Sequence, residues 1–169
     1  MTRLAMTMLV IVLVLTATPV LAHGQSELAE ARQETAKFHK VIHAETGEYV
    51  STLDVLGCFQ NPDQGGMGVH YLNASLLDGT VDAASPEALV YEIRDDGKLE
   101  LVGLEYLVPQ ELVDPANPPQ LFGQTFHPHG VLPFWILHTW IWRPNPSGMF
   151  SDYNPAVALC PEGVPIFGS

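Results

Sequence analysis

The chain has 169 residues, of which 47% are hydrophobic and 15% are charged, so it can form one domain with a core and is too apolar to be wholly disordered. Its 19 acidic residues outnumber its 7 Lys and Arg residues and give a net charge of -12. This balance excludes nucleic acid as an expected partner and argues against anionic membrane surfaces, because both require clustered positive charge. The sequence contains no phosphate-binding Walker loop, dinucleotide-binding fingerprint or zinc-finger spacing.

The segment 1–22 has the order of an export signal. Arg3 precedes an apolar run over residues 8–15, and the segment ends in the small-residue sequence Val20-Leu21-Ala22. The apolar run is shorter than the roughly 20 residues that a membrane-spanning helix needs. We therefore predict a signal peptide at residues 1–22, cleaved after Ala22. The remaining residues, 23–169, are predicted to form a single secreted or periplasmic domain with no membrane span.

The next element in chain order is a predicted helix over residues 26–46, where apolar residues recur at spacings of three and four. Ser26 can cap its start and Gly47 can end it. The following residues, 49–68, are rich in Gly, Asn and Asp and are predicted to be mostly loop. A short strand is expected over Met67 to Leu72.

A β-hairpin is predicted from two β-rich runs, residues 88–94 and 98–108, on either side of Asp95-Asp96-Gly97. A three-residue turn pairs Arg94 with Lys98, whereas a two-residue turn shifts this pairing by one residue. The three-residue turn separates apolar from polar side chains better. Because a strand's register follows the face that must be buried, we expect the pairing of Arg94 with Lys98.

The proline-rich residues 109–133 predict a long excursion over the surface. His127 and His129 lie in this excursion, where they are predicted loop residues able to cover a pocket. Phe134 to Trp142 is then apolar on both faces, which predicts a central strand that ends before Pro144.

The two cysteines of the sequence, Cys58 and Cys160, both lie in the predicted exported domain. An isolated cysteine pair in an oxidising compartment usually forms a disulfide. The C-x-x-C spacing of redox and metal-binding thiols is absent. We therefore predict a Cys58–Cys160 disulfide. The predicted fold is α+β, with a mainly antiparallel sheet of at least four strands packed on the N-terminal helix.

Several polar residues fall at predicted core positions. The chosen hairpin register, continued along both strands, places Glu87 opposite Glu105 on the apolar face. A buried carboxylate must be protonated, paired with a cation or bound to a metal. His70 and His138 lie on the two other predicted strands. If these strands are neighbours, His70, Glu105, His138 and Glu87 can converge on one point.

Two histidines and a carboxylate are typical ligands of a first-row transition metal such as zinc or iron. The leading hypothesis is therefore a binding module for a metal or a small molecule. Its candidate metal ligands are His70, Glu105, His138 and Glu87. Aromatic side chains near the two histidines are the candidate contacts of a bound molecule, namely Tyr71, Trp140 and Trp142.

Two other interpretations use the same residues. The first is an enzyme in which Glu105 or Glu87 acts as a base and His138 as an acid or a metal ligand. The second is a structural envelope domain with a polar core. In that case His138 would bond a backbone carbonyl, and Glu105 would pair with an arginine, either Arg143 or Arg32.

The sequence also resembles an uncharacterised family of exported bacterial proteins. The resemblance covers roughly residues 28–160 and includes both cysteines. It is carried by the motifs MGVHYLN (67–73), PEALVYE (86–92), VGLEY (102–106), LHTWIW (137–142), NPSGMF (145–150) and Asn154-Pro155. It implies an exported single domain and attaches no activity or cofactor to it.

Overall fold

The helices come first in the computed structural model, which describes residues 19–168. They are α1 (Pro19–Thr35), a 3-10 turn (Ala36–His39) and α2 (Val41–Thr46). The prediction of one unbroken helix over residues 26–46 is therefore wrong at its centre. The Thr35 hydroxyl donates a hydrogen bond of 2.6 Å to the Ala31 carbonyl, a bond of the kind that bends helices, and Lys40 has an extended backbone.

Most of the predicted signal peptide, residues 1–18, lies outside the described part of the chain. Helix α1 begins at Pro19 and continues through Ala22, so cleavage after Ala22 stays a prediction. Within residues 19–168, no helix has the length and the apolar character needed to cross a membrane.

An antiparallel sheet follows the helices and confirms the predicted α+β fold. The strands are β1 (Val50–Ser51), β2 (Phe59–Asn61), β3 (Gly65–Leu72), β4 (Ala88–Ile93), β5 (Leu99–Pro109), β6 (Gln120–Leu121), β7 (Gln124–Thr125), β8 (His127–Pro128) and β9 (Phe134–Thr139). The main sheet has the order β1-β3-β4-β5-β9-β8, and β2 also pairs with β3. Strands β6 and β7 form a separate pair.

The predicted loop over residues 49–68 and the ends of two predicted strands need correction. The predicted loop contains β1, β2 and one helical turn, α3 (Leu53–Leu56), and β3 begins within it, at Gly65 rather than Met67. Strand β9 lies between β5 and β8, as a central strand should, but it ends at Thr139 rather than Trp142. The Ile141 N–H bonds back to the Thr139 carbonyl at 3.0 Å, so the chain turns away from the sheet there.

Strands β4 and β5 form the predicted hairpin, and near its turn they have the predicted register. The Arg94 N–H donates to the Lys98 carbonyl at 2.8 Å, and the Gly97 N–H bonds back to the Arg94 carbonyl. Gly97 has a positive φ of 78°, the conformation that this turn requires and that glycine adopts without strain.

Further along the hairpin, a β-bulge shifts the register by one residue. Tyr91 pairs with Leu101, whereas the preceding Val90 pairs with Gly103, which leaves Val102 as the extra residue of β5. A bulge of this kind breaks the simple alternation of faces along a strand.

The bulge moves Glu105 to the other face of the sheet. Simple alternation predicts Glu105 on the same face as Leu101, but the observed pairing puts Ala88 opposite Glu105. The predicted pairing of Glu87 with Glu105 is therefore wrong.

Each face of the main sheet is covered by its own core. The helix-side core contains Phe38 from the 3-10 turn together with strand residues such as Leu89, Tyr91 and Leu104. The opposite face, called the far face below, carries Val90 and the following side chains of a second cluster: Phe59, Met67, Val102, Trp140 and Val157.

The predicted disulfide between Cys58 and Cys160 is confirmed, with a Cα–Cα distance of 6.0 Å. It joins the start of β2 to the chain that follows β9. Close by, the Phe167 ring stacks on Phe59 with a centroid distance of 4.2 Å. A Cβ atom at Gly66 would lie 2.1 Å from the Ala158 carbonyl oxygen, so glycine is needed where this C-terminal segment crosses β3. The segment therefore packs closely on the far face.

Candidate metal site

Three polar side chains from three different strands meet on the far face. His70 lies on β3, Glu105 on β5 and His138 on β9, and each is 6% exposed or less. Glu105 and His138 are direct cross-strand partners. Ala88 of β4 pairs with Glu105, and its short side chain leaves room for His70 to reach across the intervening strand. The predicted convergence of His70, Glu105 and His138 is thus confirmed.

The distances within this cluster suit a single metal ion. His70 Nε2 lies 3.2 Å from Glu105 Oε2, and His138 Nε2 lies 3.3 Å from Glu105 Oε1. One ligand atom from each of the three residues lies within 4.8 Å of the other two. In a tetrahedral site with ligand distances of about 2.1 Å, neighbouring ligand atoms are about 3.4 Å apart. The two imidazoles and the carboxylate can therefore coordinate one ion with little rearrangement.

The imidazole–carboxylate contacts are close, but they do not have the geometry of hydrogen bonds. Both ring nitrogens of His70 and Nε2 of His138 are buried without a hydrogen-bond partner among the described residues. A buried polar atom left in this state costs about 1–3 kcal/mol, which is why native structures contain few of them. A cation between the rings and Glu105 would satisfy the two Nε2 atoms.

The alternative pairing of Glu105 with an arginine is wrong. Arg143 instead donates hydrogen bonds to Glu92 and Glu100, at 2.9 and 2.8 Å. Within residues 19–168, neither Arg32 nor any other Arg or Lys lies within ion-pair distance of Glu105. The ionisable groups within ion-pair distance of the Glu105 carboxylate are therefore the two imidazoles.

Asp152 orients His138 from the side opposite Glu105. Its Oδ1 atom lies 3.3 Å from His138 Nδ1 and 3.0 Å from His127 Nε2. With the proton on Nδ1, the lone pair of His138 Nε2 points toward Glu105. Metal-binding histidines are commonly held by a second carboxylate in this way, which sets the tautomer and the ring orientation.

Burial and charge act together on the titration of the cluster. Burial, together with the nearby imidazoles of His138 and His129, lowers the pKa of His70 to about 3, so this ring is neutral near pH 7. Burial also disfavours the His138 cation, but the Glu105 and Asp152 carboxylates outweigh it and raise the pKa of His138. Burial raises the pKa of Glu105 in spite of His138. The cluster thus contains a neutral imidazole at His70, and burial disfavours the charged form of Glu105 unless a cation lies beside it.

A cavity of about 350 Å³ adjoins the cluster. His70, Glu105 and His138 line one part of it, and most of its other lining side chains are apolar. His127 and Val131, which are exposed, also line it, so the cavity extends from the buried cluster to the surface. A molecule that enters it can therefore reach the cluster.

Glu87, the fourth predicted ligand, does not belong to the cluster. It is 2% exposed, and its Oε2 atom accepts a hydrogen bond of 2.9 Å from the Leu107 N–H. Burial raises the pKa of Glu87 to about 8, partly offset by this backbone hydrogen bond. Its separation from the cluster follows from the bulge, which places Ala88 rather than Glu87 beside Glu105.

Replacing Glu87 with Gln is expected to weaken the pH dependence of stability. The folded state holds the Glu87 proton up to about pH 8, whereas an unfolded carboxyl releases it near pH 4.5. The unfolded state therefore binds fewer protons between these values, and the free energy of unfolding falls as the pH rises. Between pH 6 and pH 7 the free energy of unfolding of the wild type should fall by about 1.3 kcal/mol more than that of Glu87→Gln. Urea unfolding at each pH measures this difference.

The matched control for this experiment is Glu111→Gln, because Glu111 is exposed. We expect Glu111→Gln to follow the wild-type pH profile. A Glu87→Gln profile parallel to the wild type would show that the Glu87 carboxyl titrates normally in the folded protein.

The predicted aromatic contacts are spread over both faces of the sheet. Trp140 stacks on His138 with a centroid distance of 6.2 Å, so it supports the cluster. Tyr71 contacts Tyr91 in the helix-side core, and Trp142 contacts His39 at 4.5 Å. Tyr71, Trp140 and Trp142 do not line the cavity. Their role as ligand contacts stays a prediction.

The contact of Asp152 with His138 is not predicted from the sequence. Asp152 lies in an irregular segment after β9, where no periodicity relates it to a strand. His127 and His129 were expected in a loop that can cover a pocket, and both line the cavity, with His127 in the two-residue strand β8.

No protein-family model, curated protein or solved structure matches this chain.

Proposed function

We propose that this protein is an exported metal-binding protein in which His70, Glu105 and His138 hold one zinc or iron ion. The observation that carries the proposal is the set of buried, unpartnered Nε2 atoms within 3.3 Å of the Glu105 carboxylate. Two imidazoles and one carboxylate bind either metal and leave coordination positions open. The adjoining cavity supports a small molecule as a further ligand of the ion.

Export is the second part of the proposal. It is supported by the signal-peptide pattern of residues 1–22 and by the resemblance to exported bacterial proteins. The disulfide between Cys58 and Cys160 adds to this, since such bonds persist in oxidising compartments.

A metal-dependent enzyme is the second candidate function. The observation that favours it is the cavity, because a reaction needs space for a substrate beside the open coordination positions. In this case Glu105 would bind the metal, and Asp152 would hold His138 in place as the reaction proceeds.

The metal content of the purified protein tests the first proposal. We expect about one equivalent of zinc or iron in protein isolated from the bacterial periplasm without chelators, measured by elemental analysis. Replacing His138 with Ala removes one of three ligands and should lower the affinity for the metal more than about 100-fold, because even a supporting residue is worth 10- to 100-fold.

His43→Ala is the matched control, since His43 is exposed on α2. This variant should keep the metal content of the wild type. A wild type without stoichiometric metal, which also fails to take up zinc or iron on titration, would rule out the proposed site. Far-UV circular dichroism of His138→Ala separates the loss of a ligand from the loss of the fold.

A further inference from the structure

The cavity beside the proposed metal has polar groups at one end and apolar side chains elsewhere. The polar part contains the three proposed ligands together with His127, His129 and Asp152. The apolar part includes Leu56, Phe59, Leu107, Phe134 and Ile136. A molecule that fits this cavity must have one polar end and an apolar remainder.

His129 offers a hydrogen-bond donor to this cavity. Its Nδ1 atom accepts hydrogen bonds from the Val131 and Leu132 N–H groups, at 3.0 and 2.9 Å. Since Nδ1 serves as an acceptor, the neutral ring carries its proton on Nε2. The Nε2–H group thus remains as a donor for an oxygen atom of a bound molecule.

The Asp152 carboxylate and the His127 ring, which also line the cavity, already have partners. Asp152 contacts both His127 and His138, so its carboxylate is not the group that would bind a cationic ligand. A divalent ion held by Glu105 and two neutral imidazoles retains one net positive charge. This charge favours a monoanion at the open coordination position.

On the basis of the proposed function, we infer that the cavity binds a small monocarboxylate with an apolar chain. Its carboxylate coordinates the metal and accepts a hydrogen bond from His129 Nε2–H. Its chain lies against the apolar wall that includes Phe59, Leu107 and Ile136. The volume of about 350 Å³ suits a compact molecule rather than a peptide or a polymer.

Calorimetric titration of the zinc-loaded protein with straight-chain carboxylates, from acetate to octanoate, tests this inference. Each added methylene should tighten binding about fourfold until the cavity is filled, because each buries more apolar surface. Alkylammonium ions of the same chain lengths are the matched probes and should not bind. Zinc-free protein should bind the carboxylates much more weakly than zinc-loaded protein.

His129→Asn tests the hydrogen-bond donor. The Asn Oδ1 atom can replace His Nδ1 as the acceptor for the two backbone N–H groups, but the shorter side chain lacks the distal N–H. We expect unchanged zinc stoichiometry and carboxylate affinity that is lower by about tenfold or more. Equal affinity in His129→Asn and the wild type would overturn the role of His129.

The outcomes separate this inference from the function on which it rests. Zinc binding without carboxylate binding, or with affinities that do not depend on chain length, would overturn the carboxylate inference and leave the metal site standing. Failure to bind any metal would overturn the proposed function and the inference together.

Discussion

Zinc is expected to stabilise the wild-type protein strongly and to leave Glu105→Gln almost unaffected. An ion that binds only the folded state at a free concentration of 1,000 times its Kd adds about 4 kcal/mol to the free energy of unfolding. For a domain of this size that corresponds to a rise in Tm of about 8–16 °C. Thermal unfolding with and without zinc at constant pH measures the effect.

The Glu105→Gln substitution keeps the size of the side chain and removes its charge. Glu105 is the one residue of the cluster that faces both imidazoles, at 3.2 and 3.3 Å, so its neutral analogue should bind a divalent ion far more weakly. Glu111 is exposed, so Glu111→Gln should show the same rise in Tm as the wild type. A similar rise in Glu105→Gln would place the zinc elsewhere on the protein.

Removing the disulfide is expected to cost about as much stability as metal binding adds. Cys58 and Cys160 are 102 residues apart. Closing a loop of about this length lowers the entropy of the unfolded chain and thereby adds about 4.7 kcal/mol to the free energy of unfolding. The double variant Cys58→Ala/Cys160→Ala should therefore unfold at a much lower denaturant concentration than the oxidised wild type. Equilibrium unfolding in guanidinium chloride measures the difference.

The reduced wild type provides the control for the double variant. Both lack the covalent bond, so their free energies of unfolding should agree within about 1 kcal/mol, which is the size of an ordinary surface or small packing effect. A loss of less than about 1 kcal/mol in the double variant would mean that the bond contributes little beyond the packing of Phe59 on Phe167.

The hairpin shows how far the sequence predicts the fold. The turn residues Asp95-Asp96-Gly97 and the alternation next to them determine the local register, and the pairing of Arg94 with Lys98 was predicted from them. The bulge at Val102 is not predicted, because it lies in the stretch Leu101–Leu104, which has no polar side chain to mark a change of face.

The unpredicted bulge also limits how well the site can be predicted from the sequence. His70, Glu105 and His138 were identified because charged or polar side chains at buried strand positions need partners. Simple alternation predicts Glu105 on the helix side of the sheet. The bulge instead places it on the far face, beside His70 and His138. A register without the bulge predicts Glu87 in the cluster. Its carboxylate instead accepts a hydrogen bond from the Leu107 N–H.

Residues outside the regular strands were harder to place. Asp152 and His129 reach the cavity through irregular segments whose course depends on packing against the sheet and the C-terminal segment. No spacing in the sequence relates such residues to a strand, so only the folded chain brings them together. This is usual for binding residues, which lie mostly on loops held by a rigid scaffold.

The position of Cys160 after β9 has a consequence for biosynthesis. Its partner, Cys58, precedes β2, so every strand of the main sheet except β1 lies between the two cysteines. Because a chain emerges from the ribosome from its N-terminus, oxidation of this pair must wait until the last of these strands has been made. The disulfide therefore forms only after all of these strands have been synthesised. Before that point, Cys58 is the one thiol of the pair that an oxidant can react with.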